Sequence, residues 1–477
     1  MTRAGWTKWV VLGLALVSPV AATAQADTVG LSLPEAVARA LDQSQEVRLA
    51  RAQVEIADAQ VRETRAGVLP QVNANFAYTR TFASAFEGSG GFELPDSLRF
   101  APDTTASLAE RVRYLERRVP LAGLQGLGAL FGDLPFAQEN VYAAQLSGSQ
   151  LLYSGGRTGA ALRIARDFRE AARLTLTEEE GEIELQVRTA YYRALLAQEL
   201  EEIALAALEQ AEAFLAQERL RLSAGRASEL EVLRAEVSRD NLRPQVVEAQ
   251  NLAQLSLLDL KRLVDLPLAV PVRLTTPLSA PEAALPLRAE AAEATAGRAA
   301  LAAAERQVAM REEGIRIARG AFLPSVNLQM NYGRQLFPSG ALQFDGDWRT
   351  DWTATLGVQV PIFSGGQRLA QLQTARVEAE RARLQLAQLR EGVQLQYERA
   401  AGERERARAA IAARESTVAA AQRVHDLTAL RYQQGLATQL EVSQARLELL
   451  QARTNLARAV ADFFIADAAL LRAAGDR

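Results

Sequence analysis

The sequence predicts a mixed α and β membrane protein whose chain supplies four transmembrane β-strands and long coiled-coil α-helices in two tandem repeats. Three observations carry this reading. The chain repeats itself, short segments alternate strictly between apolar and uncharged polar residues, and proline-poor stretches run longer than a globular domain needs.

The first element is an address. Arg3 and Lys8 precede an apolar run over residues 9–17, and Pro19 and Ala24-Gln25-Ala26 follow. A positive start, a short apolar core and an Ala-x-Ala site predict a secretory signal peptide over residues 1–26. The run is far below the roughly 20 residues of a spanning helix.

The repeats come next. Leu69-Pro70-Gln71-Val72-Asn73 returns as Leu323-Pro324-Ser325-Val326-Asn327, an offset of 254 (323 − 69). Tyr153-Ser154-Gly155-Gly156 returns as Phe363-Ser364-Gly365-Gly366, an offset of 210 (363 − 153), and Gly225 and Glu231 match Gly435 and Glu441 at that offset. The change places an insertion of 44 residues (254 − 210) between Tyr78 and Tyr153. Repeat 1 thus covers residues 27–266, a Pro-rich linker residues 267–286 and repeat 2 residues 287–477. Each repeat reads as helix, strand, strand, long helix, turn, helix.

Ser32-Leu33-Pro34-Glu35 predicts a capping box opening the first helix. Residues 157–222 hold no proline, and a helix of that length extends roughly 100 Å. Val442, Ala445, Leu449, Ala452, Leu456, Ala459 and Phe463 alternate spacings of three and four, a heptad seam. The run Glu178-Glu179-Glu180 reads as a solvated helix face.

The strands are expected near residues 70–82, 142–153, 324–336 and 351–363, with no other sheet visible in the sequence. One parity is apolar: Val72, Ala74, Phe76 and Tyr78 in the first strand, Leu356, Val358, Val360 and Ile362 in the last. Arg80 shares that parity near a strand end. The other parity carries Asn73, Asn75 and Thr79, then Asn327, Gln329 and Asn331, then Thr353, Thr355 and Gln359. An uncharged polar face fits a water-filled lumen, and about 10 residues is the length of a tilted bilayer-crossing strand. Four strands close no barrel, and an open edge is not tolerated in lipid. Two chains would supply eight strands and three would supply twelve. The competing reading is an exported, non-conducting periplasmic coiled-coil scaffold.

Composition narrows the chemistry. No Cys and a single His425 leave no thiol nucleophile, His-rich metal site or conventional catalytic triad. We expect no enzyme, metal or cofactor, and the net charge of -3 predicts no nucleic-acid partner.

Taken in order, the signal peptide, the Leu-Pro-x-Val-Asn strand openings, the Ser-Gly-Gly junctions and the two Gly-centred helix turns resemble a TolC-like outer-membrane efflux protein over residues 27–477. The resemblance implies a homotrimer whose 12-stranded barrel in outer-membrane lipid is continued by a periplasmic α-helical tunnel. It implies an exit channel for tripartite efflux or type I secretion, working with a periplasmic adaptor protein and an inner-membrane transporter of RND, ABC or MFS type. It places adaptor docking on the turns, at Ser223, Ala224, Gly225 and Arg226 and at Gln434, Gly435, Leu436 and Ala437. It places the periplasmic entrance at Tyr432, Gly435, Glu441 and Gln444. Ala437 stands where some relatives have arginine and Gln444 where they have aspartate, so their closing contacts do not carry over residue for residue. Glu441 and Glu231 would form a ring of carboxylates about a symmetry axis that attracts cations. Arg234 is placed to pair with Glu231 at i,i+3. The inserted loop, residues 83–141, with Gly88-Ser89-Gly90-Gly91 and a helix expected over residues 107–118, is long enough to act as a lid.

Overall fold

A computed structural model describes residues 29–82, 103–117, 139–280, 291–338, 340–341 and 343–475. The signal peptide, most of the inserted loop with its glycine-rich run, and residues 281–286 of the linker lie outside the described residues. The chain opens with β1 (Val29–Leu31), α1 (Leu33–Gln43), α2 (Gln45–Ala66), β2 (Gln71–Arg80), a short helix α3 (residues 108–117) and β3 (Asn140–Tyr153). The long helices α4 (Arg157–Ser223) and α5 (Glu229–Leu263) follow. The rest runs β4 (Val272–Leu274), α6 (Ala291–Ala294), α7 (Ala299–Gly320), β5 (Ser325–Leu336), β6 (Arg349–Gln359), α8 (Gln367–Gln433) and α9 (Gln439–Ala474). Both α4 and α8 are 67 residues long.

Two compact units result. One comprises Leu176–Ala299 and Glu391–Arg477 with the chain up to Arg51; the other comprises Ala52–Thr175 and Ala300–Arg390.

The first unit holds the main hydrophobic core, where Leu33, Ala36, Ala40 and Val47 meet Ile183, Val187 and Tyr191 of α4 and Leu260 and Val264 at the end of α5. The capping box that starts α1 is present, with Glu35 receiving the Ser32 amide at 2.9 Å. The single helix expected here is two. The chain breaks at Ser44, in extended conformation with its hydroxyl accepting the Val47 amide at 3.3 Å, so Ser44 caps α2. The heptad seam of α9 is its buried face: Val442, Ala445, Leu449, Ala452, Ala459 and Phe463 are all buried.

Two expectations are corrected in this unit. A second sheet exists: β1 pairs in parallel with β4, Val29 opposite Val272 and Leu31 opposite Leu274. The proline-punctuated stretch therefore does more than connect, and it packs Val272 and Leu274 into the core. The prolines flank the strand rather than interrupt its ladder; Pro271 supplies a carbonyl to the Val29 amide at 3.0 Å. Glu178 is not a solvated charge. Its Oε1 accepts from Arg472 at 2.6 Å and from Arg298 at 3.1 Å, and Arg298 donates onward to Gln396 at 2.8 Å. Burial opposes ionisation of Glu178, but the two guanidinium groups outweigh it and hold its pKa below the usual carboxylate range.

The second unit holds a four-stranded sheet and its junctions to helices. At each strand-to-helix junction both glycines take positive φ: 65° and 81° at Gly155 and Gly156, 60° and 85° at Gly365 and Gly366. Only glycine adopts these angles cheaply, which explains the repeated Ser-Gly-Gly. At the first junction the backbone also touches α7. A Cβ on Gly155 would lie 2.5 Å from the Gly320 carbonyl oxygen, and one on Gly320 would lie 2.6 Å from the Gly155 carbonyl oxygen. Gly320→Val is expected to destabilise by about 1–3 kcal/mol through overpacking. Gly314→Ala, where a Cβ meets open space on the same helix, should be neutral or stabilising. Thermal unfolding of both variants checks this; equal Tm values would remove the close-approach argument.

Candidate functional site

The strands lie in the order β2-β3-β5-β6, every neighbour antiparallel. The pairing of β3 with β5 joins the two repeats, with Ser147 opposite Asn331 and Leu146 opposite Tyr332. Register puts the expected lumen residues on one face. Asn73, Ser147, Asn331 and Thr353 form a row, with Gln71, Ser149, Gln329 and Thr355 beside it. On the other side lie Asn75, Gln145, Gly333 and Asp351. Asn327 faces Gly357 and Gln359 faces Ser325, while Thr79 faces Val141. Gln145, Ser147 and Ser149 of β3 belong to this face and were missed in the sequence. Their parity was readable, but Gly148 and Gln150 blurred the apolar side of that strand. Gln150 has its own use, donating to the Val68 carbonyl at 2.6 Å.

The opposite face is apolar and open. Val72, Gly148, Met330 and Ala354 make one row; Ala74, Leu146, Tyr332 and Trp352 make the next. Phe76 is 80% exposed, Trp352 76% and Leu356 62%. In a soluble sheet this face would be covered. Both edge strands are exposed at every position. The fourth strand stops at Gln359, short of the expected 363, because Pro361 has no amide for the ladder.

The two helix turns in the first unit are built alike. The Gly225 amide bonds the Leu222 carbonyl at 2.9 Å and the Arg226 amide bonds the Arg221 carbonyl at 2.8 Å. Gly435 and Leu436 do the same to Tyr432 and Arg431 at 3.0 and 2.8 Å. This is the Schellman ending, and it requires the left-handed φ of 70° at Gly225 and 75° at Gly435. Each turn runs straight into a capping box. Glu231 receives the Ser228 amide and Glu441 the Thr438 amide, both at 2.6 Å. Ser223 closes α4 with its hydroxyl on the Leu220 carbonyl at 2.8 Å, and Gln439 Nε2 ties the turns together through the Glu231 carbonyl at 2.7 Å. Leu436 and Leu440 stand 64% and 70% exposed at the second turn.

The capping boxes change the reading of the carboxylates. Glu231 makes no ion pair with Arg234 among the described residues; Ser228 takes that place. Hydrogen bonds from Ser228 and Thr438 hold Glu231 and Glu441 below the usual carboxylate pKa. A depressed folded-state pKa stabilises above the unfolded value and is lost as pH falls through the folded one. Amide protection in the first turns of α5 and α9 should therefore persist at neutral pH and weaken only below about 4.3, the free glutamate value. Thr438→Ala should cost about 1 kcal/mol and raise hydrogen exchange at residues 439–442 at pH 7. Unchanged exchange would mean that the cap holds nothing.

Of the remaining entrance candidates, Gln444 lies along α9 and donates to Glu448 at 3.4 Å. Tyr432 is buried. Its ring packs 5.8 Å from Phe214, the Arg221 guanidinium sits 4.6 Å above it, and Glu218 lies beside its hydroxyl. Glu218 is fully buried and accepts from Arg221 at 3.1 Å. Burial first and the adjoining Glu218 carboxylate second push the Tyr432 phenol up to about 12. Arg446, 4.8 Å over Phe214, has its pKa lowered by burial. A groove of about 240 Å³ between Phe214, His425, Tyr432 and Arg446 completes the cluster. Glu218 and Arg221 were missed in the sequence.

Among the described residues, no helix is long and apolar enough to cross a membrane, and no group of three or more acidic or histidine side chains is placed to hold a metal. The family model described as outer membrane efflux protein matches residues 130–264 and 291–476, well over half of the chain. The chain belongs to this family. Outer membrane efflux protein BepC of Brucella suis biovar 1 (strain 1330) is 29% identical over 163 residues, 34% of this chain and 35% of that protein's length. The match thus spans about a third of that curated relative. The fold is shared with solved structures. CusC, described with transmembrane channel formation, has a TM-score of 0.73 at 18% identity over 94% of both chains. VceC of Vibrio cholerae gives 0.70 at 20% identity, covering 93% of this chain and 96% of that one. The open-state MtrE outer membrane channel of Neisseria gonorrhoeae gives 0.73 at 20%, covering 93% and 89%. Of these relatives in fold, CusC is described with transmembrane channel formation and MtrE as an outer membrane channel.

Proposed function

We propose that three copies of this chain join their sheets edge to edge and close a twelve-stranded barrel through the outer membrane. The observation that supports this is the sheet itself: an exposed apolar face, a polar face whose described strand residues carry charge only at Arg349 and Asp351 near the loop end, and two bare edges. Bare edges cannot remain in lipid. Eight strands from two copies would enclose only enough space for side chains, whereas twelve leave room for water.

In this reading Asn73, Asn75, Asn327, Gln329, Asn331, Thr353 and Thr355 line the passage. The long helices continue it as a periplasmic tunnel, and the turns at Gly225 and Gly435 are the entrance and the adaptor-docking site. The protein is a passive exit duct for tripartite efflux or type I secretion, energised by an inner-membrane transporter. The exposed Leu436 and Leu440 offer the adaptor an apolar contact. Glu441 caps α9 yet stays exposed, so three copies would still present a cation-attracting ring.

Reconstitution into planar bilayers tests the core of the proposal. Stepwise conductance with a cation preference, together with a heat-sensitive oligomer on gels, is the expected result. A soluble helical oligomer without conductance would overturn it in favour of the coiled-coil scaffold.

A further inference from the structure

The apolar face of the sheet carries two charges among its described strand residues, Arg80 and Arg334, and no carboxylate. Both lie toward one end. Counting rows from the end where the β2–β3 and β5–β6 connections lie, Arg80 pairs with Asn140 in the first. Tyr78, Tyr142 and Leu336 form the second, and Phe76, Ala144, Arg334 and Thr350 the third. The rows beyond hold no charge.

Each guanidinium rests on an aromatic ring, Arg80 5.4 Å from the Phe82 centroid and Arg334 5.7 Å from that of Trp348. Tyr78 and Tyr142 stack between them at 4.8 Å, and Tyr142 packs 5.0 Å from Phe344. Neither arginine has an acidic partner within ion-pair distance among the described residues, although Arg–carboxylate pairs are frequent elsewhere in the chain.

An unpaired arginine on a lipid-facing surface is costly at mid-bilayer and cheap at the headgroup level. Aromatic rings with polar tips favour that same level. A guanidinium recognises phosphate bidentately, and stacking on a ring fixes its plane without consuming its donors. The outer leaflet of a bacterial outer membrane is built of a glycolipid with phosphates on its sugar headgroup. We propose that Arg80 and Arg334 bind those phosphates, so that each chain holds outer-leaflet glycolipid against the loop end of its sheet. The proposal rests on the reading that the apolar face meets lipid, and it adds a ligand and two residues to it.

The test uses the full-length protein in detergent, wild type and the double variant Arg80→Gln/Arg334→Gln, titrated with bisphosphorylated lipid A, its dephosphorylated form and phosphatidylglycerol. Bound lipid is counted by native mass spectrometry. With about 1 kcal/mol of attraction per arginine near an anionic surface, the double variant should bind bisphosphorylated lipid A about thirtyfold more weakly. Wild type should prefer it to both other lipids. Equal binding by variant and wild type, or equal binding of the dephosphorylated glycolipid, overturns the proposal. A preference for phosphatidylglycerol overturns the assignment to the outer-leaflet glycolipid. Conductance and heat-sensitive migration are recorded on the same samples. If wild type lacks both, the barrel reading fails; if both persist while lipid binding is unaltered by the substitutions, only this inference fails.

Discussion

Leu356→Arg is expected to abolish assembly in the outer membrane, whereas Thr355→Arg, one residue away, leaves assembly intact and moves ion preference toward anions. Leu356 stands opposite Leu328 on the apolar face, and Thr355 stands opposite Gln329 on the polar one. A charge at mid-bilayer on the lipid face costs about 2–4 kcal/mol per copy. The proposed trimer would carry the substitution three times, and few assemblies have that much stability in reserve. In the proposed barrel the side chain of Thr355→Arg would instead project into water, where it would cost little and add a ring of positive charge to the passage. Heat-sensitive oligomer yield from purified outer membranes reads the first effect, and reversal potential in a salt gradient reads the second. If both variants assemble equally, the apolar face does not meet lipid. If both fail, the polar face is packed rather than wet.

That pair of substitutions is designed from alternation alone, and alternation was the most legible feature of the chain. Period two is a local property, so Asn73, Asn327 and Thr353 could be placed on one parity without knowing which strands pair. What parity does not say is how strands are ordered. The contact of β3 with β5 joins segments from different repeats, and only the register shows Ser147 and Asn331 side by side. Elements too short for a period were invisible: β1 and β4 have three residues each. The heptad seam of α9 was legible for the same reason as the strands.

Charges were read least well, because a charge takes its meaning from residues far away in sequence. Glu178 looked like one of three solvated glutamates, yet its partners Arg298 and Arg472 lie 120 and 294 positions away. Glu231 and Glu441 show the opposite failure. Their Ser-x-x-Glu and Thr-x-x-Glu contexts are the local signature of a capping box, the same one that marked Ser32 and Glu35. The local reading explains their geometry, and any role as a charged ring comes on top of it. The repeat comparison also hid the Tyr432 cluster. At the offset of 210, Tyr432 corresponds to Leu222 and Glu218 to Thr428, so the two repeats differ at those positions. A search for repeated motifs passes over such a departure, although it is where the chain has specialised.

Glu218→Ala is expected to give the largest effect in that first unit. Glu218 is wholly buried and is held by Arg221, which also covers the Tyr432 ring. Breaking a buried ion pair by removing one partner costs about 3–5 kcal/mol when the remaining charge is trapped. The Arg221 side chain is 28% exposed and can turn partly to water, so a loss of about 2 kcal/mol is the fair expectation. Glu218→Gln keeps the shape and an acceptor and should cost less, which separates charge from packing. The phenol supplies a second readout. Its pKa is raised, so the stability it contributes is present below about 10 and lost as pH rises toward about 12. Wild type should lose Tm across that window more steeply than Tyr432→Phe, which has nothing to titrate there. In Glu218→Gln the phenol pKa should fall only part of the way, because burial is its larger cause. If the cluster latches the entrance, Glu218→Gln also raises open probability in bilayers while Tm changes little. A fall in Tm with unchanged conductance would assign Glu218 to packing alone and leave closure of the entrance to contacts between copies.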